Sequence, residues 1–257
     1  MTDNSAQKAS PSYILPVLDT DFLLGDSLRG MRFHLEYQKA EEALRARRIV
    51  STIVVFGSAR VHPGEPRYEA ARAFSRLASE RGGALNGRGG YRHNVIATGG
   101  GPGIMEAANR GAAEAGALTA GFNITLPHEQ EPNAYSTPGL TFRFHYFAMR
   151  KMHLAMRAKA LVVFPGGFGT LDELMEILTL MQTLKIKKAM PIVLFGTEFW
   201  RDVINFNALV KYGTISRQDL DLVFRTDSID EAFAHVTHEL TERYLHDDEA
   251  TMGSGAI

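Results

Sequence analysis

The chain contains no cysteine. That excludes disulfides, zinc–thiolate sites and thiol nucleophiles, and it suits a reducing compartment. Long hydrophobic runs are missing as well. Nothing approaches the roughly 18 apolar residues of a membrane span, and the polar stretch Met1–Ser12 lacks the apolar centre of a secretory leader. No charge of one sign dominates: 28 Lys and Arg face 29 Asp and Glu, for a formal net charge of -1. No overall field therefore draws the chain to nucleic acid or to a membrane. Together these absences predict a soluble, cytoplasmic protein. Two nucleotide signatures are also absent. Gly57-Ser58-Ala59-Arg60 stands where a dinucleotide fingerprint would read G-x-G-x-x-G, and no Gly-Lys-Ser/Thr closes a glycine loop. Bound NAD and a P-loop kinase reaction are both disfavoured.

The chain does have enough apolar residues for a sizeable core, 45% of 257. Its length suits one α/β domain with additions. Residues 1–27 read as a tail. Leu28–Arg48 carries Phe33, Tyr37, Ala40 and Leu44 on one helical stripe, opposite Glu36, Lys39, Glu42 and Arg45. From Thr52 onward strands and helices alternate. Strands are expected at Thr52–Phe56, Asn94–Thr98, Leu118–Ile124, Leu140–Phe147, Leu161–Phe164 and Pro191–Phe195. Helices are expected at Pro66–Arg81, Ile104–Ala115, Ala148–Arg157, from Leu174 on, Glu198–Tyr212 and Asp230–Tyr244. This order predicts a Rossmann-like parallel sheet with helices on both faces, plus an N-terminal helical extension. The expected division is 1–49 for the tail and helix, 50–246 for one nucleotide-binding domain and 247–257 for a frayed tail.

In a parallel sheet every strand-to-helix loop lies on one edge, and ligands bind where strand order reverses. The loops at Gly57-Ser58, at Gly99-Gly100-Gly101-Pro102-Gly103, at Phe147–Lys151 and at Pro165-Gly166-Gly167-Phe168-Gly169-Thr170 should therefore converge. One glycine loop alone merely permits a tight turn. Two on one edge, with bare N–H groups at helix starts, point to a nucleotide or sugar phosphate. Arg150 and Lys151 stand near a helix start, where the dipole disfavours cations by about 0.3–1 kcal/mol. An anionic ligand explains them; so would snorkelling or a nearby acid.

Spacing leaves two roles open for Glu173. It stands three residues after Thr170, as in a capping box, a purely structural role. It is also a carboxylate facing a site built for anions, which invites a catalytic role. Asp172 should point elsewhere. His128, His145 and His153 show no metal-ligand spacing, and no metal site is expected. The glycine-rich stretch Gly82–His93 reads as a flexible insertion or a flap. Lys185, Lys187 and Lys188 suit a helix end without any function.

Gly99–Ala108, then Arg150-Lys151, then Pro165-Gly166-Gly167-Phe168-Gly169-Thr170-Leu171-Asp172-Glu173 together resemble the LONELY GUY (LOG) family, long labelled "possible lysine decarboxylase". The resemblance covers roughly residues 50–245. Gly57-Ser58 and the run Asn123–Gln130 resemble its longer bacterial members. Where short plant-like members read Met-His-Glu-Arg-Lys, this chain has Phe147-Ala148-Met149-Arg150-Lys151, so only the Arg-Lys pair matches. The resemblance implies a phosphoribohydrolase that cleaves the N-glycosidic bond of nucleoside 5′-monophosphates, cytokinin ribotides or AMP, giving base and ribose 5-phosphate. It assigns catalysis to Arg150 and Glu173, and phosphate binding to Gly166, Gly167, Gly169 and Thr170. Lys151, Gly57, Ser58, Gly100, Gly101 and Gly103 are expected to border the substrate. No metal or organic cofactor is expected, and a homodimer or higher homo-oligomer is. A non-catalytic nucleotide sensor or carrier is the alternative, since fold does not decide function. Pyridoxal phosphate chemistry is disfavoured because neither Lys151 nor Lys159 is marked as a Schiff-base site.

Overall fold

The computed structural model describes residues 3–85, 88–126, 131–186 and 190–253. The expectations for Asn86, Gly87, Pro127–Gln130, Lys187 and Lys188 lie outside these residues. Two short helices, α1 (Ser5–Lys8) and α2 (Thr20–Leu24), precede α3 (Arg29–Ala46). There follow β1 (Thr52–Phe56), α4 (Pro66–Arg81), β2 (Val95–Thr98), α5 (Ile104–Glu114), β3 (Ala120–Ile124) and β4 (Thr141–Phe144). The second half is α6 (Phe147–Met156), β5 (Ala158–Val163), α7 (Phe168–Gln182), β6 (Ile192–Phe195), α8 (Thr197–Val203), α9 (Phe206–Lys211), β7 (Val223–Thr226) and α10 (Ile229–Gly253).

The strands form one parallel sheet in the order β4-β3-β2-β1-β5-β6-β7. The central strands β1, β2 and β5 are mostly apolar and rich in Val and Ile because both faces of the sheet are covered. On β1, Ile53 and Val55 enter the core with Tyr68, Phe74, Ile104 and Val236. Val54 and Phe56 enter the opposite core with Leu44, Leu154, Leu174, Ile177 and Trp200. Thus α4, α5 and α10 cover one face, while α3, α6 and α7 cover the other. The small-residue character of α5 lets it lie close to α4: a Cβ at Gly111 would stand 2.0 Å from the Arg72 carbonyl oxygen.

The α/β pattern of the sequence holds, with differences at several elements. A seventh strand, β7, absent from the sequence expectation, pairs with β6 at the sheet edge. The single helix expected at Glu198–Tyr212 is two, broken where Asn205 turns its side chain to accept from the Ala208 N–H and caps α9. β4 ends at Phe144, so Phe147 already belongs to α6. Residues 3–27 contain short helices, and α10 continues through Asp247 to Gly253.

Candidate active site

Strand order reverses between β1 and β5, so the crevice opens where those two strands end. The loops there are knitted together. The Ser58 N–H donates to the Pro165 carbonyl at 2.9 Å, and the Ile104 N–H donates to the Ser58 carbonyl at 3.0 Å. Gly103 must be glycine: its φ is +69°, and a Cβ would stand 2.3 Å from the Ser58 carbonyl oxygen. A cleft of about 570 Å3 results. Gly57, Ser58 and Arg60 line it from the β1 loop, Met105 from α5 and Arg150 from α6, with Gly167–Leu171 along the start of α7.

The second glycine loop stands behind the cleft and is buried. A polar network pins it. The Gly100 N–H donates to Thr98 Oγ1 at 2.9 Å, while its carbonyl accepts from the Asn133 N–H at 2.9 Å and from Asn123 Nδ2 at 3.2 Å. Asn133 Nδ2 also reaches the Gly101 carbonyl at 3.1 Å and Asn109 Oδ1 at 2.9 Å. Gly100 and Gly101 are thus occupied in shaping the rear of the site.

Helix α7 starts one residue after Gly167, and no side chain caps it. Its first N–H groups have no intrahelical partner. Together with the helix dipole they form an anion seat on the cleft wall. Thr170 is the third helical residue rather than the cap. Glu173 therefore forms no capping box; its carboxylate turns instead to Arg150, Oε1 to Nη1 at 3.3 Å. Of the two roles left open by spacing, the capping role is removed.

Arg150 is 9% exposed and Glu173 4%. Arg150 Nε also donates to the Phe122 carbonyl at 2.7 Å. Burial raises the Glu173 carboxyl to about 7, a rise that Arg150 and Lys151 only partly offset. Burial likewise lowers the Arg150 guanidinium, against the pull of Glu173 and Asp172. Desolvation thus outweighs attraction on both sides of the pair.

Lys151, expected at the substrate, turns to α7 and pairs with Asp172 at 2.7 Å and Glu176 at 3.3 Å. Burial pulls its ammonium down, but the two carboxylates prevail and hold it above the ordinary lysine value. Arg60, Met105 and Phe168 line the cleft without having been assigned there from sequence. Phe168, 92% exposed on the lip, stands inside a recognised motif, so its position was the available signal. Among the described residues no group of three His, Cys, Asp or Glu could hold a metal ion. No helix among them is long and apolar enough to cross a membrane.

The glycines of the α7 loop divide by what surrounds them. A Cβ at Gly166 would meet Thr170 Oγ1 at 2.1 Å and the Gly57 carbonyl carbon at 3.0 Å. At Gly167 and Gly169 it would meet nothing within 4 Å. Gly166→Ala is therefore expected to destabilise the fold, by about 1–3 kcal/mol. Gly167→Ala should leave the urea midpoint unchanged yet weaken binding of ribose 5-phosphate, measured by calorimetry. Equal destabilisation by both changes would remove the distinction.

The family model described as "possible lysine decarboxylase" matches residues 105–236. No curated protein sequence matches the chain. Among solved structures, the structural-genomics target TM1055 is 20% identical and superposes over 73% of this chain and 99% of its own with a TM-score of 0.51, a likeness of fold. The molybdenum cofactor binding protein of Rippkaea orientalis (17% identity, 76% and 98% coverage) and the Moco carrier protein of Chlamydomonas reinhardtii (23%, 75% and 98%) both score 0.49.

Proposed function

The chain belongs to the "possible lysine decarboxylase" family, the LOG family of the sequence motifs, and from that premise we propose that it hydrolyses the N-glycosidic bond of purine nucleoside 5′-monophosphates, of the AMP or cytokinin ribotide type. The observation that carries this reading is a cleft walled by an uncapped helix start and by Arg150, with Glu173, which does not itself line that cleft, buried against the Arg150 guanidinium at 3.3 Å. An anion seat alone suits any phosphate. A carboxylate next to it suits a reaction that builds positive charge on the adjoining sugar.

The 5′-phosphate would rest on the first N–H groups of α7, with Thr170 Oγ1 beside it. This anchors the ribose, an orientation effect that can supply several kcal/mol. As the C1′–N bond breaks, its electron pair leaves on the base nitrogen and the ring becomes oxocarbenium-like. Glu173, as carboxylate, stabilises that charge and orients a water. Water gives its hydroxyl to C1′, and its remaining proton balances the charge on the departing base. Arg150 holds Glu173 in place and faces the phosphate side. Ser58 and Arg60 border the opposite lip.

The decarboxylase description implies pyridoxal phosphate, and neither Lys151 nor Lys159 fits it. An amine poised for a Schiff base is desolvated and lowered. Lys151 is instead raised and held by two carboxylates. Lys159 stands at the start of β5, at the sheet edge opposite the cleft.

The deciding experiment incubates the protein with AMP and a panel of other nucleoside 5′-monophosphates, with the ribosides as controls, and follows free base by chromatography. Release from monophosphates but not ribosides is expected. Tight AMP binding without base release would instead favour the sensor or carrier reading.

A further inference from the structure

Helix α6 carries Arg150 into the cleft but cannot stabilise its own start. No side chain of its own caps it, and Arg150 and Lys151 lie near the positive end of its dipole. The missing negative charge comes from outside. Glu36, on α3, accepts from the His145 N–H with Oε1 at 2.8 Å and from the Tyr146 N–H with Oε2 at 3.2 Å. Tyr146 is the N-cap of α6, and its carbonyl accepts from the Arg150 N–H at 3.2 Å. One residue therefore links the Glu36 carboxylate to the backbone of Arg150.

Further contacts fix α3 against the rest of α6. Arg32 Nε donates to Tyr146 Oη at 3.1 Å, and its Nη1 holds the Leu23 and Gly25 carbonyls at 2.9 and 2.7 Å. The Phe33 and Tyr146 rings meet edge-on at 4.3 Å. In the middle of the helix, His153 Nε2 lies 3.1 Å from the Tyr37 carbonyl. At its end, Arg157 Nη2 pairs with Glu41 at 2.9 Å. A helix that served only to cover the sheet would need apolar contacts alone. This one places polar partners at the start, middle and end of α6.

We propose that α3 is a brace that sets where α6 presents Arg150, and that Glu36 is the positioning residue at the working end of this brace. The proposal rests on the reading of the cleft as a site in which Arg150 acts. It gives the N-terminal extension a task inside the site, although no residue of α3 lines the cleft.

The test uses the full chain with Glu36→Ala and Glu36→Gln, the latter keeping an acceptor oxygen but no charge. With AMP as substrate, Glu36→Ala should lower kcat about tenfold or more, as sub-ångström misplacement can, and Glu36→Gln should lower it less. The second readout needs no turnover. A 13C-NMR titration follows the Glu173 carboxyl, assigned by its loss in Glu173→Gln. Facing Glu173 are Arg150 and Lys151 from α6 and Asp172 and Glu176 from α7. If α6 shifts, the Arg150 charge retreats and the titration midpoint rises from its wild-type position near 7. An unchanged midpoint in both variants, with only a lower Tm, would overturn the brace. Should the wild type release no base, the proposed reaction fails while the titration still decides the brace. Should Glu36→Ala not fold, the midpoint in Glu36→Gln decides it.

Discussion

Glu173→Gln should abolish base release from AMP while the protein folds as before. The expected loss is about 10²–10⁴-fold in kcat, the range for removing a positioned acid–base or electrostatic group. Glutamine fills the same space and can still accept from Arg150, but it cannot carry the charge that an oxocarbenium-like ring requires. Wild-type activity should also rise with pH through about 7, as the Glu173 carboxylate forms. Stability should move the other way. The folded carboxyl is raised to about 7 from an ordinary 4.5, so its contribution is complete below 4.5 and is lost as pH rises through 7. The shift corresponds to about 3 kcal/mol. Glu173→Gln removes that dependence. Its urea midpoint should match the wild type near pH 4 and exceed it at pH 8. Activity within a fewfold of wild type, or a variant less stable than wild type at pH 8, would sink the role given to this carboxylate.

The same pair shows why the sequence could be read only part of the way. The alternation of strands and helices, and the placement of glycine loops after β1, β2 and β5, follow from local patterns of apolar residues and turn formers. Local patterns also put Arg150 and Glu173 on the correct elements. They cannot say that the two meet, because that depends on how α6 and α7 pack over the sheet. Thr170 and Glu173 have capping-box spacing, yet the helix starts earlier, at Phe168, and the carboxylate is released to Arg150. Lys151 looked like a second cation for the ligand, and packing gives it Asp172 and Glu176. Gly166 and Gly167 are identical as letters. Only the structure shows that Thr170 and Gly57 crowd the first, while the second faces open space. The contacts of Glu36 to the start of α6 span 109 and 110 positions, beyond any periodicity argument.

Arg150→Met should cost both activity and stability, with the stability loss growing as pH rises. Methionine is close to arginine in length and suits an apolar surrounding, so the change tests the charge more than the volume. Two partners are orphaned. The Phe122 carbonyl loses the donor it has at 2.7 Å, and a buried acceptor left unmet costs about 1–3 kcal/mol. Glu173 loses the strongest of the charges that lower its carboxyl. Its folded value then rises above 7, the pH window over which stability is lost lengthens, and the total loss increases. Above that window an uncompensated buried carboxylate remains, a situation that costs about 3–5 kcal/mol. Below pH 5 Glu173 is neutral in either protein, and the difference should shrink toward the carbonyl term. Urea unfolding at pH 5 and pH 8 measures this directly. AMP turnover should fall about 10²-fold or more, because the carboxylate is both displaced and neutralised at working pH. Arg150→Lys restores the charge but not the fork, since one ammonium cannot serve the Phe122 carbonyl and Glu173 with the same geometry. It should recover part of the stability at pH 8 and little of the turnover. An Arg150→Met protein whose stability deficit is the same at pH 5 and pH 8 would show that the guanidinium and the carboxylate do not act as a pair.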